Sequence, residues 1–323
     1  MGESAEEFNY EGRLVFNQLY HLRSENGEAT NKDLLSNLSS YQGGTPDNPG
    51  EGFDIVDLDR YDQDLITNLS SDTRDITYLQ YKREDYTREE LVNNQGEIEE
   101  VFMKNVNTAD IFLVNSEFLI FRGSERITQS ARENIKGVAS DNFIFDEIDF
   151  SSDFLVWMIY LHNNGKAFSD KLRVERFTDA KLTGNRDIGD STRRISGSTE
   201  IMRSAPVATA ILQGKNLDTL GGYFIYEDIY HIASDISDNG RIHVKSRADI
   251  QHSSDLKRMV ISVLFVSEIL YISKKWMDMD PRDKYPPDSF FESILAGLEA
   301  RGLSLGFSLD SITRKYKEKR REK

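Results

Sequence analysis

The sequence contains no cysteine. That absence excludes a disulfide framework, a thiol nucleophile, an iron–sulfur cluster and every cysteine-ligated zinc site. Histidine is scarce too. The five residues His21, His162, His231, His243 and His252 show neither HExxH nor HxH spacing, so no histidine metal motif is present. His231 and His243 sit where two strands of one meander would bring them face to face. No GxSxG, Walker A or GxGxxG segment occurs, which removes the common nucleophile-elbow and phosphate-loop signatures. No apolar run approaches the roughly 18 residues that a membrane span needs. The first ten residues are acidic and polar and do not read as a signal peptide. The expectation is a soluble, cytoplasmic protein without a membrane partner.

What is present is charge. Of 323 residues, 55 are Asp or Glu and 40 are Lys or Arg, for a formal net charge of −15. Such a surface repels phosphate and by itself argues against nucleic acid. However, Asp exceeds Glu, Arg exceeds Lys and cysteine is missing. That combination reads either as adaptation to a salty cytoplasm, where acidity is a solubility device, or as an ordinary acidic protein. The charge is also uneven. Residues 312–323 (ITRKYKEKRREK) hold seven basic and two acidic side chains. A basic terminal run binds anionic partners, or it is a solvated helix end.

At about 150 residues per domain, the length suggests two domains. The pattern expected along the chain is a helix over 5–24, a polar Gly/Pro-rich loop over 25–52, and strands over 53–58 and 75–82. A second helix is expected over 87–105, where Thr87 and Glu90 have capping-box spacing. A tight hairpin follows around Asn115-Ser116-Glu117, then a helix over 124–136, a strand over 143–150 and a helix over 152–162. Beyond this the pattern turns to strands over 172–182 and 193–196. A meander over 222–246 follows, whose last turn carries Asn239-Gly240, a strong hairpin signal. The longest apolar helix is expected over 255–277, with terminal helices after it. This order is α+β: an N-terminal αβ domain (1–165), then a mostly antiparallel sheet domain with C-terminal helices (166–311), then a basic tail (312–323).

Two constellations carry candidate chemistry. In the first, Glu11 precedes a strand bearing Asp54 and Asp57, and Gln80-Tyr81-Lys82 closes the next strand. This arrangement resembles the core of the PD-(D/E)xK nucleases, in the branch with QxK on the strand. The resemblance covers residues 5–115 and nothing beyond them. It implies Mg²⁺ or Mn²⁺ held by Asp54, Gln80 and a backbone carbonyl, with Lys82 holding a metal-activated water beside the scissile phosphate. The catalytic set would be Glu11, Asp54, Asp57, Gln80 and Lys82. The same residues also fit a plain strand with Lys82 exposed at its end.

The second constellation is basic and aromatic. Arg193, Arg194, Arg241 and Lys245 fall on expected strands near Tyr223, Tyr226 and Tyr230, and Lys317, Lys319, Arg320 and Arg321 lie in the basic run. Cations and rings on one sheet face bind single strands by phosphate contact and stacking; they also pair with abundant Asp on a solvated face. Two functions follow. One is a non-catalytic interaction protein that binds nucleic acid or a protein partner in a defence or mobile-element setting. The alternative is a metal-dependent nuclease.

Overall fold

The computed structural model describes residues 8–10, 12–25, 30–58, 61, 76–92, 94–139, 142–183, 193–197, 200–245, 252–304 and 306–321. The chain divides into two compact units, one of Met1–Asn9 with Val15–Glu147 and one of Tyr10–Leu14 with Ile148–Lys323. Both are antiparallel sheets with helices, an α+β architecture.

The strands of the first unit are β1 (Leu14–Ser24), β2 (Glu51–Val56), β3 (Ile76–Val92), β4 (Ile98–Val114), β5 (Phe118–Gly123) and β6 (Phe143–Glu147). Its helices are α1 (Asn31–Asn37) and α2 (Glu125–Ala139). The strand order is β2-β3-β4-β5-β1, with β6 also pairing β1. One face of this sheet carries Leu79, Tyr81, Ile111 and Phe121, against which α2 lays Ile127 and Ile135.

Two expected helices are strands instead. β1 occupies most of 5–24. A register shift between Phe16 and Gln18 inserts a bulge, so Leu14 and Phe16 are buried before it and Leu19, Tyr20 and Leu22 after it. The bulge breaks the period of two and leaves apolar spacings that imitate a helix. The stretch 87–105 is the far half of the β3–β4 hairpin, which pairs without interruption from Ile76↔Val114 to Val92↔Ile98. Gly96 takes φ +82° at its turn, and cross-strand pairing overrides the local helix preference of a Glu-rich segment. Leu91, Val92, Ile98, Phe102 and Met103 are exposed on this outer half.

The Gly-rich stretch before β2 closes on one carboxylate. The Glu84 side chain is fully buried. It accepts hydrogen bonds from the Tyr41 hydroxyl (2.7 Å), the Tyr86 hydroxyl (3.0 Å) and the backbone N–H groups of Gly44 and Gly50 (2.9 Å each), and it pairs with Lys104. A Cβ on Gly50 would lie 2.1 Å from the Gln42 carbonyl oxygen. Close approach of backbone to backbone within this loop therefore accounts for Gly44 and Gly50, whose N–H groups reach Glu84.

The second unit contains α3 (Ser152–Asn163), β7 (Leu172–Thr183), β8 (Arg193–Ile195), α4 (Ala205–Leu212), β9 (Asn216–Tyr226), β10 (Tyr230–Ser237) and β11 (Ile242–Lys245). It ends with α5 (Asp255–Met277), α6 (Pro281–Lys284), α7 (Asp288–Glu299) and α8 (Asp310–Arg321). Its strand order is β11-β10-β9-β7-β8. One face of this sheet packs on helices: Phe224 of β9 meets Phe265 of α5 at 5.4 Å between ring centroids. α3, which precedes the cut expected near 165, packs on β9 and β7 of this unit. α5 buries residues around most of its circumference, as its wide apolar arc predicts. The basic run over 312–323 contains most of α8. Ile312 and Tyr316 are buried, and the Tyr316 hydroxyl donates to Asp153 at 2.9 Å. No helix among the described residues is long and apolar enough to cross a membrane.

Candidate functional site

The first constellation comes partly together. Glu11 lies outside the described residues. Asp57 follows the end of β2 and is exposed. Asp54, Gln80 and Asp110 share one rung across β2, β3 and β4, and Arg122 of β5 completes it. Lys82 sits within β3, not at its end, and its Nζ pairs with the Asp54 carboxylate at 2.8 Å. The Asp110 carboxylate pairs with Arg122 and accepts the Tyr78 hydroxyl at 2.7 Å. Burial and the neighbouring Asp110 charge push the Tyr78 hydroxyl far above its ordinary pKa.

Both carboxylates on this rung therefore already have a cation. A divalent metal needs several hard oxygen ligands free to converge on it. Among the described residues no cluster of three His, Cys, Asp or Glu side chains can hold one. The donor set of Asp54 and Gln80 does not fit Mg²⁺ or Mn²⁺ as placed.

The second constellation lies on the sheet face of the second unit that is turned away from the helices. Three rungs cross it. The first runs Arg194, Lys181, Thr219 and Ser237 through paired positions on β8, β7, β9 and β10. The Ser237 N–H reaches the Arg241 carbonyl at 2.8 Å, which brings Arg241 beside the end of that rung. The second runs Asp179, Gly221, Asp235 and His243. The third runs Arg176, Tyr223, Ala233 and Lys245. Alternation along β9, β10 and β11, with a register shift between Phe177 and Asp179 of β7, puts these side chains on one face while Leu220, Phe224, Ile232, Ile236 and Ile242 fill the other.

The first two rungs enclose a cavity of about 290 Å³ that Arg241 also lines. On the middle rung Gly221 has no side chain, and Asp179 and Asp235 close over it from either side: a Cβ there would lie 2.4 Å from Asp235 Oδ1 and 2.9 Å from Asp179 Cβ. Asp235 pairs with Lys245 at 2.7 Å, and Asp179 accepts from the Thr178 hydroxyl (2.6 Å) and the Gly197 N–H (3.2 Å). The Thr219 and Ser237 hydroxyls share a hydrogen bond of 3.2 Å. Burial pushes the His243 imidazole below its usual pKa, opposed by the Asp235 charge. On the third rung the Arg176 guanidinium lies 4.8 Å from the Tyr223 ring centroid, a cation–π pair.

Of the basic residues picked from the sequence, Arg194, Arg241 and Lys245 meet on this face. Arg193 pairs in register with Leu182 on β7. Lys317 pairs with Asp288, Lys319 pairs with Asp153, and Arg320 donates to the carbonyls of Arg282 and Tyr285, so these three hold α8 in place. Arg321 is exposed on the last turn of α8. His231 stands opposite Ile225 and His243 opposite Asp235, so the two histidines do not face each other. The sequence reading missed Asp179, Lys181, Thr219 and Ser237. The signal was the alternation Ile232, Ser234, Ile236 against Asp235 and Ser237 in β10, which marks a polar open face. No protein-family model matches the chain, and no curated protein matches it.

Proposed function

We propose that the chain is a non-catalytic binding protein whose second unit takes single-stranded nucleic acid on the open face of its sheet. One observation carries this reading. Arg194 and Arg241 line the same cavity, and neither has an ion-pair partner among the described residues. In a chain of net charge −15, carboxylates are abundant, and the nearby cations Lys171, Arg173, Lys181 and Lys245 each have one. Two guanidiniums on one concave surface, without an ion-pair partner among the described residues, suit phosphate, which they grip in bidentate fashion. The Arg176–Tyr223 pair adds a flat cationic platform on which a base can stack. The net negative charge acts at long range, and salt screens it beyond about 10 Å, whereas contacts inside the cavity are screened less.

The test is the binding of labelled single-stranded oligonucleotides, by fluorescence anisotropy, across a salt series. Arg194→Ala with Arg241→Ala should weaken binding at least about tenfold. It should also make the log–log salt slope shallower by about 1.4, because each single-strand phosphate contact contributes about 0.7. Unchanged affinity and slope in the double variant would reject this face as the binding surface.

A second reading, the metal-dependent nuclease, requires Lys82 to release Asp54 so that the carboxylate beside Gln80 can turn to a metal. There, wild-type protein would cleave DNA or RNA with Mg²⁺ or Mn²⁺, and Lys82→Ala would abolish the cleavage. Cleavage that survives Lys82→Ala removes this reading, and so does wild-type protein that cleaves nothing.

A further inference from the structure

We infer that the open face prefers RNA to DNA, and that the carboxylates of Asp179 and Asp235 make the distinction. This inference rests on the nucleic-acid reading of the same face.

The argument begins with the order of charges. Along β10 the three rungs are set by Ser237, Asp235 and Ala233, each two residues from the next. At about 3.4 Å per residue they lie about 7 Å apart. The two outer rungs carry cations, Lys181 and Arg194 on one and Arg176 and Lys245 on the other. The middle rung carries two carboxylates and His243. Phosphates are drawn to the outer rungs and repelled from the middle one. The part of a bound strand that crosses the middle rung is therefore its uncharged part, the sugar and base.

A carboxylate offers acceptors only. It rewards a ligand that brings a hydrogen-bond donor and penalises one that leaves its acceptors dry. Each ionised carboxylate has about four lone-pair sites. Asp179 uses one oxygen for the Gly197 N–H and the other for the Thr178 hydroxyl. Asp235 uses one oxygen for Lys245, and its other oxygen stands 3.9 Å from His243 Nδ1. Both retain acceptor capacity toward the cavity.

The donor that every ribonucleotide brings, whatever its base, is the 2′-hydroxyl, and DNA lacks it. Base N–H groups differ from base to base and would give sequence preference instead. The size of the cavity agrees. At about 290 Å³ it sits just below the range of drug-sized ligand pockets, room for a sugar and not for a length of strand. Gly221 leaves the space that the Asp235 carboxylate occupies, since any side chain there would displace it. Thr219 and Ser237 lie on the first cationic rung, next to the carboxylates, where a hydroxyl can donate to phosphate or accept from ribose.

The experiment compares oligouridylate with oligodeoxyuridylate of the same length, which share a base and differ only at the 2′ position. Both are titrated into wild type, Asp179→Asn, Asp235→Asn and the Arg194→Ala/Arg241→Ala double variant. Wild type should bind the ribo form about tenfold tighter, about 1.4 kcal/mol. Each Asn variant should bring the ratio close to one, because an amide offers one acceptor oxygen and replaces the other with a donor. The arginine variant should weaken both ligands alike and keep the ratio. Equal wild-type affinity for the two oligomers overturns this inference and leaves the nucleic-acid reading standing, as does a ratio that survives in both Asn variants. Binding of neither oligomer at low salt overturns both.

Discussion

The Asp235 carboxylate occupies the space that a side chain on Gly221 would fill, with Oδ1 2.4 Å from the position of a Cβ there. Its neighbour Gly222 is closed by backbone instead: a Cβ would lie 2.6 Å from the Arg176 carbonyl oxygen. A carboxylate can rotate away and a strand carbonyl cannot; the second obstacle at Gly221, Asp179 Cβ at 2.9 Å, needs a shift of only a few tenths of an ångström. Gly221→Ala should therefore be the milder change, and Gly222→Ala should cost about 1–3 kcal/mol through overpacking. Urea midpoints of the two variants test the ranking. A larger loss for Gly221→Ala would mean that the Asp235–Lys245 pair is held rigidly.

Glu84 predicts a pH dependence. Hydrogen bonds from Lys104 and the Tyr41 hydroxyl hold its carboxyl well below the ordinary range, with Gly50 and Gly44 adding to the effect. A depressed carboxylate stabilises the fold above its unfolded pKa and loses that contribution as pH falls through the folded value. The contribution should thus be complete at neutral pH and drain away below about pH 4. Urea midpoints between neutral and acid pH should decline less steeply for Glu84→Gln than for wild type. Parallel curves would show that other carboxylates govern the acid limb.

The basic C-terminal segment should matter to stability. Tyr316 is buried, stands 4.8 Å from Phe291 between ring centroids, and donates to Asp153. Tyr316→Ala should cost about 3–5 kcal/mol, as for other large buried aromatics. Removal of residues 310–323 should lower the melting temperature and expose apolar surface to a hydrophobic dye. A truncated chain as stable as the full one would return the segment to the role of a solvated tail.

Two apolar substitutions should behave oppositely. Leu264 lies in α5 and is 2% exposed, whereas Val92 lies on the outer hairpin and is 69% exposed. Leu264→Ala should cost about 2–5 kcal/mol. Val92→Thr should stay within about 0.5 kcal/mol. A loss below about 1 kcal/mol at Leu264 would place that helix face on the surface, and a large loss at Val92 would show that the hairpin tip is covered in solution.

Several features were legible from local pattern. α5 follows from an apolar run too wide for a surface stripe. The β4–β5 turn follows from Asn115 and Ser116, which take φ 51° and 59°, values that Asn tolerates. The β10–β11 turn follows from Asn239-Gly240, with Gly240 at φ +76°. These are contests among near neighbours in the chain, and residue type settles them. The α+β class follows from their order.

Other features depended on pairing at a distance. One extra residue at the bulge of β1 reverses which side chains face inward, and no local periodicity records it. The hairpin beyond Tyr86 is a strand because its partner is a strand, against its own preference. The candidate site is of the same kind. Arg194 and Arg241 lie on different strands, β8 and beside β11, and reach one cavity only through the register of β7, β9 and β10 between them. Asp179 and Asp235 meet over Gly221 for the same reason. Composition named the arginines as candidates. Strand order and register, which arise from the burial of the opposite face, brought them together, because a one-residue slip would turn every one of these side chains to the other side of the sheet.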